Sequence, residues 1–190
     1  MNRVDPVPSY TFEDYESIDR GPRGERFEYV GSEIIAMVGG NLEHHQIITN
    51  LQLALTSSVQ PPCRVLRETF RLHVHSADDD SIFYPDVFVT CQSLTHQATE
   101  ATDATLIIEV ASDSTRQYDA ETKLERYKQL PSLREIVLVE TSEPQITLHR
   151  IREKVTDRYT QLDQRILLAS VESWQPKVKD IYAGIEFPAT

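Results

Sequence analysis

Cysteine is almost absent from this chain: Cys63 and Cys91 are the only two in 190 residues. They fall in unrelated contexts with no metal or redox spacing, so both are expected to be plain buried or half-buried thiols. No apolar run approaches the roughly 20 residues of a membrane span. The opening MNRVDPVPSY lacks the apolar centre of a secretory signal. A cytoplasmic location with no membrane partner is the expectation. Positive charge is scarce: 19 Lys+Arg against 30 Asp+Glu leave a net charge of −11. That argues against a protein that coats nucleic acid through a general basic surface. Six glycines form no phosphate-cradling loop, and no nucleophile elbow occurs. Internal repeats and low-complexity segments are absent as well.

The chain does have the length and composition of an ordinary globular fold, 39% hydrophobic and 26% charged. A loose arm over 1–10 followed by one domain over 11–190 is expected. Thr11 precedes the acidic FEDYESI and reads as a helix N-cap. Arg26–Val30 and Glu33–Val38 read as strands joined by a tight turn at Gly31-Ser32. Leu42, Ile47, Ile48, Leu51, Leu55 and Val59 have helical spacing, and Pro61-Pro62 closes that helix. Arg64–His75 and Ile82–Thr90 read as one strand each, with Pro85 tolerated at an edge or bulge. Leu106–Val110 and Ile136–Val139 are continuous apolar runs expected at the sheet centre. Asp119–Leu130 reads as a helix stopped by Pro131. Gln145–Ile151 and Arg158–Leu162 form an outer hairpin, and Val178–Ala183 a last short helix. Strands alternating with helices predict an α/β fold: a mixed central sheet flanked by helices, preceded by an N-terminal helix and hairpin.

One stretch carries chemistry. Glu109 sits inside Leu-Ile-Ile-Glu-Val, and a carboxylate in a strand buried on both faces costs several kcal/mol unless paired or metal-bound. Asp86 precedes Val-Phe-Val in another strand, so neighbouring strands can bring both carboxylates to one end of the sheet. Hard oxygen ligands of this kind suit Mg²⁺ or Mn²⁺. Lys123 lies about one turn into a helix that Asp119 would cap. Helical side chains lean toward the N-terminus, so its ammonium can reach the carboxylates. There it can orient or deprotonate a water, or neutralise charge on a phosphate.

Plainer roles exist for each residue. Asp86 can be a turn residue after Pro85, Glu109 can pair with an arginine, and Asp119 with Lys123 makes a favourable i,i+4 pair. Other clusters point to less. His73 and His75 share one strand face, but no third and fourth ligand follow at zinc-site spacing. His44 and His45 face different directions on a helix. Asp78-Asp79-Asp80 lacks the glycine and final glutamate of a calcium loop and reads as a solvated turn. Ser112 and Ser114 have no histidine nearby in sequence and read as backbone-bonding loop residues.

Many weak elements recur together in order. Tyr84-Pro85-Asp86-Val87, Leu106-Ile107-Ile108-Glu109-Val110-Ala111-Ser112, Ser114-Thr115-Arg116, Tyr118-Asp119, Lys123-Leu124 and Tyr127 follow one another. Upstream stand Tyr10–Tyr15, Phe27-Glu28-Tyr29, Glu33-Ile34, His44, Ile47, Asn50-Leu51 and Leu55. Over roughly residues 10–185 this resembles the Uma-type family of bacterial endonucleases, within the restriction-endonuclease-like PD-(D/E)-x-K superfamily. The resemblance implies that fold, a Mg²⁺-dependent (Mn²⁺ in place of Mg²⁺) endonuclease activity and DNA as substrate. It implies Asp86 and Glu109 as metal carboxylates and Lys123 as the catalytic lysine. The superfamily's usual lysine position, two residues after the glutamate, is Ala111 here. Glu28 and His44 match recurring family positions and, with Asp119, are accessory candidates. A closed homodimer is expected, being the commonest oligomer and suited to double-strand cutting. Two other readings stay open: an inactive nuclease-fold module binding nucleic acid or protein, favoured by Ala111 and the −11 charge, and hydrolysis of a smaller phosphate ester.

Overall fold

The computed structural model describes residues 9–19, 26–37, 39–76, 80–111 and 118–187, with the side chains of Asp119 and Ala120 outside that description. Helix α1 (Phe12–Asp19) opens with a reciprocal cap. Asp14 N donates to Thr11 Oγ1 (3.1 Å) while Thr11 N donates to Asp14 Oδ2 (2.8 Å). Strands β1 (Phe27–Val30) and β2 (Glu33–Ala36) meet at Gly31-Ser32, whose φ values of 59° and 64° are those a two-residue hairpin turn needs. Helix α2 (Leu42–Ser58) is capped by the Asn41 side chain, which accepts from His44 N. There follow β3 (Arg64–Arg67), β4 (Arg71–Val74), β5 (Ser81–Phe83), β6 (Val87–Thr90), β7 (Glu100–Ala101) and β8 (Leu106–Ala111). A π-helical turn (Asp119–Lys123) continues into α3 (Leu124–Tyr127), then β9 (Glu135–Glu140), β10 (Ile146–Arg150), β11 (Val155–Tyr159) and α4 (Val178–Ile181).

The strands form two sheets. One is six-stranded in the order β11-β10-β9-β8-β6-β3, mixed because β8 and β9 run parallel while its other pairs are antiparallel. The other is five-stranded in the order β2-β1-β5-β4-β7. Side-chain alternation along the central strands sorts the core. Val87, Val89, Leu106, Ile108, Val110, Val137 and Val139 face α2, through Ile47, Ile48, Leu51 and Leu55. Phe88, Ile107, Ile136 and Leu138 face the other way, against Leu72, Val74 and Phe83 of the second sheet and Leu124 and Tyr127 of α3. Tyr15 of α1 then closes over Tyr29, Ile82 and Tyr84 on the outer face of that sheet.

Two expected strands are each broken in two. Arg64–His75 turns after Arg67, and Phe70 N bonds back to Arg67 O, so β3 joins one sheet and β4 the other. Ile82–Thr90 breaks at Tyr84-Pro85-Asp86, where the chain passes from β5 in the five-stranded sheet to β6 in the six-stranded one. Proline lacks the N–H a continuing ladder would use, and Asp86 stands at that crossing. Leu42 opens α2 exposed rather than packed. The free-thiol expectation is corrected: Cys63 and Cys91 form a disulfide. The register Arg64↔Thr90 places these two residues side by side at the ends of β3 and β6, a neighbourhood that their 28-residue separation hides. No described helix is long and apolar enough to cross a membrane. Ser112 and Ser114 lie outside the described residues, as do Asp78 and Asp79.

Glu135, at the start of β9, is 1% exposed. It accepts from Arg150 Nη1 (2.7 Å), Ala169 N (2.9 Å), Ser170 N (2.8 Å) and Ser170 Oγ (2.5 Å). One carboxylate thus ties the sheet to the segment leading to α4. Glu135→Ala takes the acceptor from Ala169 N, Ser170 N and Ser170 Oγ, while Arg150 keeps Asp157 (3.0 Å), and is expected to cost about 1–3 kcal/mol. Urea unfolding checks this as a lower midpoint at unchanged slope.

Candidate active site

The register Val87↔Ile108 sets Asp86 opposite Glu109 at one end of the antiparallel pair β6–β8. Backbone bonds cross between them: Val110 N donates to Asp86 Oδ2 (2.7 Å), and Asp86 N points at Glu109 Oε2 (3.4 Å). Glu109 is 2% exposed. It shares a strand face with Ile107, so it points toward α3 rather than α2. Lys123 and Tyr127, one helical turn apart, both meet it there: Tyr127 Oη donates to Glu109 Oε1 (2.6 Å) and Lys123 Nζ stands 3.4 Å from the same oxygen. Lys123 is the last residue of the π-helical turn, a local widening often found at functional positions.

Two further residues close in from the N-terminal half. Glu28, on β1, is buried and has its Oε1 3.0 Å from Lys123 Nζ. The same oxygen accepts from Tyr84 N (3.2 Å), just before Pro85. Tyr84 Oη donates to Asp19 Oδ2 (2.7 Å), tying α1 to the crossing. Burial, aided by the Asp19 carboxylate, holds this phenol above its usual range. From α2, His44 Nε2 lies 3.4 Å from Asp86 Oδ1, while His45 is exposed. Gly40 makes room for that ring: a Cβ there would collide with His44.

Glu28, His44, Asp86, Glu109 and Lys123 therefore converge from β1, α2, the β5–β6 crossing, β8 and the π-helical turn. Asp119 begins that turn, and its side chain lies outside the described residues. Ala111, on the same strand face as Glu109, is buried, and its carbonyl is taken by Thr141. Lysine thus approaches the carboxylates from the helix, not from that strand. Among the described residues the site contains three carboxylates and one ammonium besides His44, an excess of negative charge that a divalent cation would offset. Asp86 and Glu109 are two hard oxygen donors side by side. That is the number Mg²⁺ commonly takes from protein, leaving water and phosphate to complete its shell. The donor set fits the ion.

The sequence model of the Uma2 family, described as "Putative restriction endonuclease", matches residues 12–181. The chain belongs to this family. Two uncharacterized proteins of Synechocystis sp. are each 28% identical to it. One matches over 146 residues, 76% of this chain and 75% of its own; the other over 120 residues, 61% and 67%. A crystal structure described as a "putative nuclease belonging to DUF820" from Anabaena variabilis superposes with a TM-score of 0.75 at 18% identity, covering 94% of this chain and 98% of that one. The expected nuclease fold, a mixed sheet with an N-terminal helix and hairpin, is the fold observed.

The Tyr127 hydroxyl is the contact that sequence reasoning left without a task, although its i,i+4 spacing from Lys123 marked the same helix face. Tyr127→Phe keeps the ring packed against Phe83 but removes a donor from a buried carboxylate. A loss of about 1–3 kcal/mol is expected, measured by denaturant unfolding with tertiary structure checked by near-UV circular dichroism.

Proposed function

We propose that this protein is a Mg²⁺-dependent endonuclease that hydrolyses phosphodiester bonds of DNA, with Asp86, Glu109 and Lys123 as its catalytic residues. The observation that carries the reading is the placement of one buried ammonium, Lys123 Nζ, 3.0 Å from Glu28 and 3.4 Å from Glu109, the carboxylate that Asp86 N faces at 3.4 Å. The family's description supports nuclease chemistry. Asp86 and Glu109 would hold the Mg²⁺, with Mn²⁺ as a substitute. An ion held there would supply Lewis acidity toward a phosphoryl oxygen and a bound water. Lys123, between two carboxylates, serves as an ammonium that orients the attacking water and offsets charge on the phosphate. Glu28 holds that ammonium in place, and His44 orients Asp86 through Oδ1. Asp119 is assigned an accessory part at the start of the same helical turn.

The reading includes a homodimer, whose two sites would serve the two strands of a duplex, and a cytoplasmic location, where DNA is found. In a reducing cytoplasm the Cys63–Cys91 pair would persist as a dithiol. The net charge of −11 favours a second reading, a nuclease-fold module that binds without turnover. Cleavage assays decide between them. Asp86→Asn and Lys123→Met are expected to abolish Mg²⁺-dependent nicking of plasmid DNA, and Asp86→Asn to abolish Mg²⁺ binding in calorimetry. Folded wild type that binds DNA but never cuts it with Mg²⁺ or Mn²⁺ establishes the binding module instead.

Gly40→Ala tests the positioning of His44. The substitution pushes the ring off Asp86 without touching the core. Cleavage is expected to fall about 10- to 100-fold, the usual effect of disturbing a residue that orients a metal ligand. Its unfolding midpoint should stay near that of wild type, and Gly40→Ala with full activity would remove His44 from the mechanism.

A further inference from the structure

A second cluster lies in the five-stranded sheet, at the turn between β4 and β5. His73 is the third residue of β4 and pairs with Ile82. His75 follows the strand, and Asp80 stands just before β5. The two rings lie on one side of the strand with centroids 3.8 Å apart. Asp80 faces both: its Oδ1 is 3.1 Å from His75 Nδ1, and its Oδ2 is 3.6 Å from His73 Nε2. One ligand atom from each of the three lies within 4.8 Å of the others. In a tetrahedral site with bonds of about 2.05 Å, neighbouring ligand atoms stand about 3.3 Å apart. The contacts to Asp80 run to its two oxygens, Oδ1 at 3.1 Å and Oδ2 at 3.6 Å, so a small turn of the carboxylate would bring one oxygen to both rings.

The side chain of His73 is 8% exposed, and its Nε2 is buried with no hydrogen-bond partner. A buried polar atom left so is costly, and this one points at Asp80. Its other nitrogen, Nδ1, faces Glu100 Oε1 at 3.7 Å, and Glu100 is itself gripped by Arg71 (2.8 Å). A carboxylate on the side of the far nitrogen is placed to orient a metal-bound histidine once it closes to hydrogen-bond length. Phe12 of α1 stacks on the ring at 5.3 Å and fixes its plane.

We infer that His73, His75 and Asp80 form a binding site for a divalent transition metal of the Zn²⁺ class, with Glu100 as the orienting partner of His73. Two imidazoles and one carboxylate suit Zn²⁺ or Co²⁺, in contrast to the oxygen donors Asp86 and Glu109. Three protein ligands leave the fourth position to water. The ion would clip the end of the β4–β5 hairpin, with His75 and Asp80 at the surface and His73 beneath them. This inference stands apart from the nuclease reading, since it uses none of that site's residues.

Co²⁺ is titrated into tag-free full-length protein in excess Mg²⁺, followed by its visible d–d absorption, and then displaced with Zn²⁺. Wild type is expected to bind one Co²⁺ with a tetrahedral band that Zn²⁺ abolishes, and Zn²⁺ should raise its thermal midpoint. His75→Ala and Asp80→Asn alter exposed or half-exposed side chains, so both should fold. Each is expected to weaken binding at least about 10-fold and to lose the Zn²⁺-induced rise. Wild type without the band, or both variants binding Co²⁺ as tightly as wild type, overturns the inference. Neither outcome bears on Asp86, Glu109 or cleavage.

Discussion

The burial of Glu109 is the constraint around which the rest of this fold is arranged. A lone carboxylate inside a strand with apolar neighbours on both faces would cost several kcal/mol. Its partners come from separate elements: Lys123 and Tyr127 from the helical segment, and the Asp86 N–H from the β5–β6 crossing. Lys123 in turn needs Glu28 of the N-terminal hairpin. Satisfying one charge therefore docks the helical segment, the crossing and the hairpin onto β8. The second buried glutamate of the same sheet gives the contrast. Glu135 is held by an arginine, two backbone N–H groups and a hydroxyl, and ties chain to chain. Glu109 is held next to another carboxylate and beneath an ammonium, the arrangement on which the proposed chemistry rests.

How much of this was legible depended on whether the signal was local. The Gly31-Ser32 turn, α2 with its buried stripe, and the odd glutamate in Leu-Ile-Ile-Glu-Val could all be read directly. The two strand breaks could not. The chain is extended on both sides of Arg67–Arg71, with β3 only half-buried, and both extended and buried on either side of Tyr84–Asp86, because the two sheets pack face to face and leave β4, β5 and β6 covered on both sides. A hydrophobic pattern that continues across a crossing gives no sign that the sheet has changed. Pro85 was the single local mark of it, and it was legible as a bulge but not as a passage between layers. The Cys63–Cys91 pairing was hidden for the same reason: it follows from the β3–β6 register, which exists only once β3 has left the path of β4. Asp80, likewise, is a turn residue by composition, and it meets His73 and His75 only when the hairpin folds back.

The crossing at Pro85 also explains why the candidate site's carboxylates gather where they do. A strand that ends in one sheet and resumes in the next leaves a gap in both ladders. Backbone and side chains near the gap need partners from outside the regular pairing. Here Tyr84 N goes to Glu28 and Asp86 N toward Glu109, while Asp86 returns a bond to Val110 N. The carboxylates serve the backbone at the gap as well as the chemistry proposed for them. Removing either one therefore disturbs the seam between the sheets, so loss of activity in such variants carries meaning only alongside a measured fold.

The charge balance follows the same geometry. The −11 arises in the first 115 residues, with 7 Lys+Arg against 18 Asp+Glu, and the half carrying Lys123 is close to neutral. Part of that acidity sits in the pocket as Glu28, Asp86 and Glu109, with Lys123 as the cation between two of them. On the proposed reading, a phosphate anion would meet repulsion there without a divalent cation, and attraction with one bound. Acidity that counts against a protein coating DNA is thus compatible with one that engages a single phosphodiester through a metal.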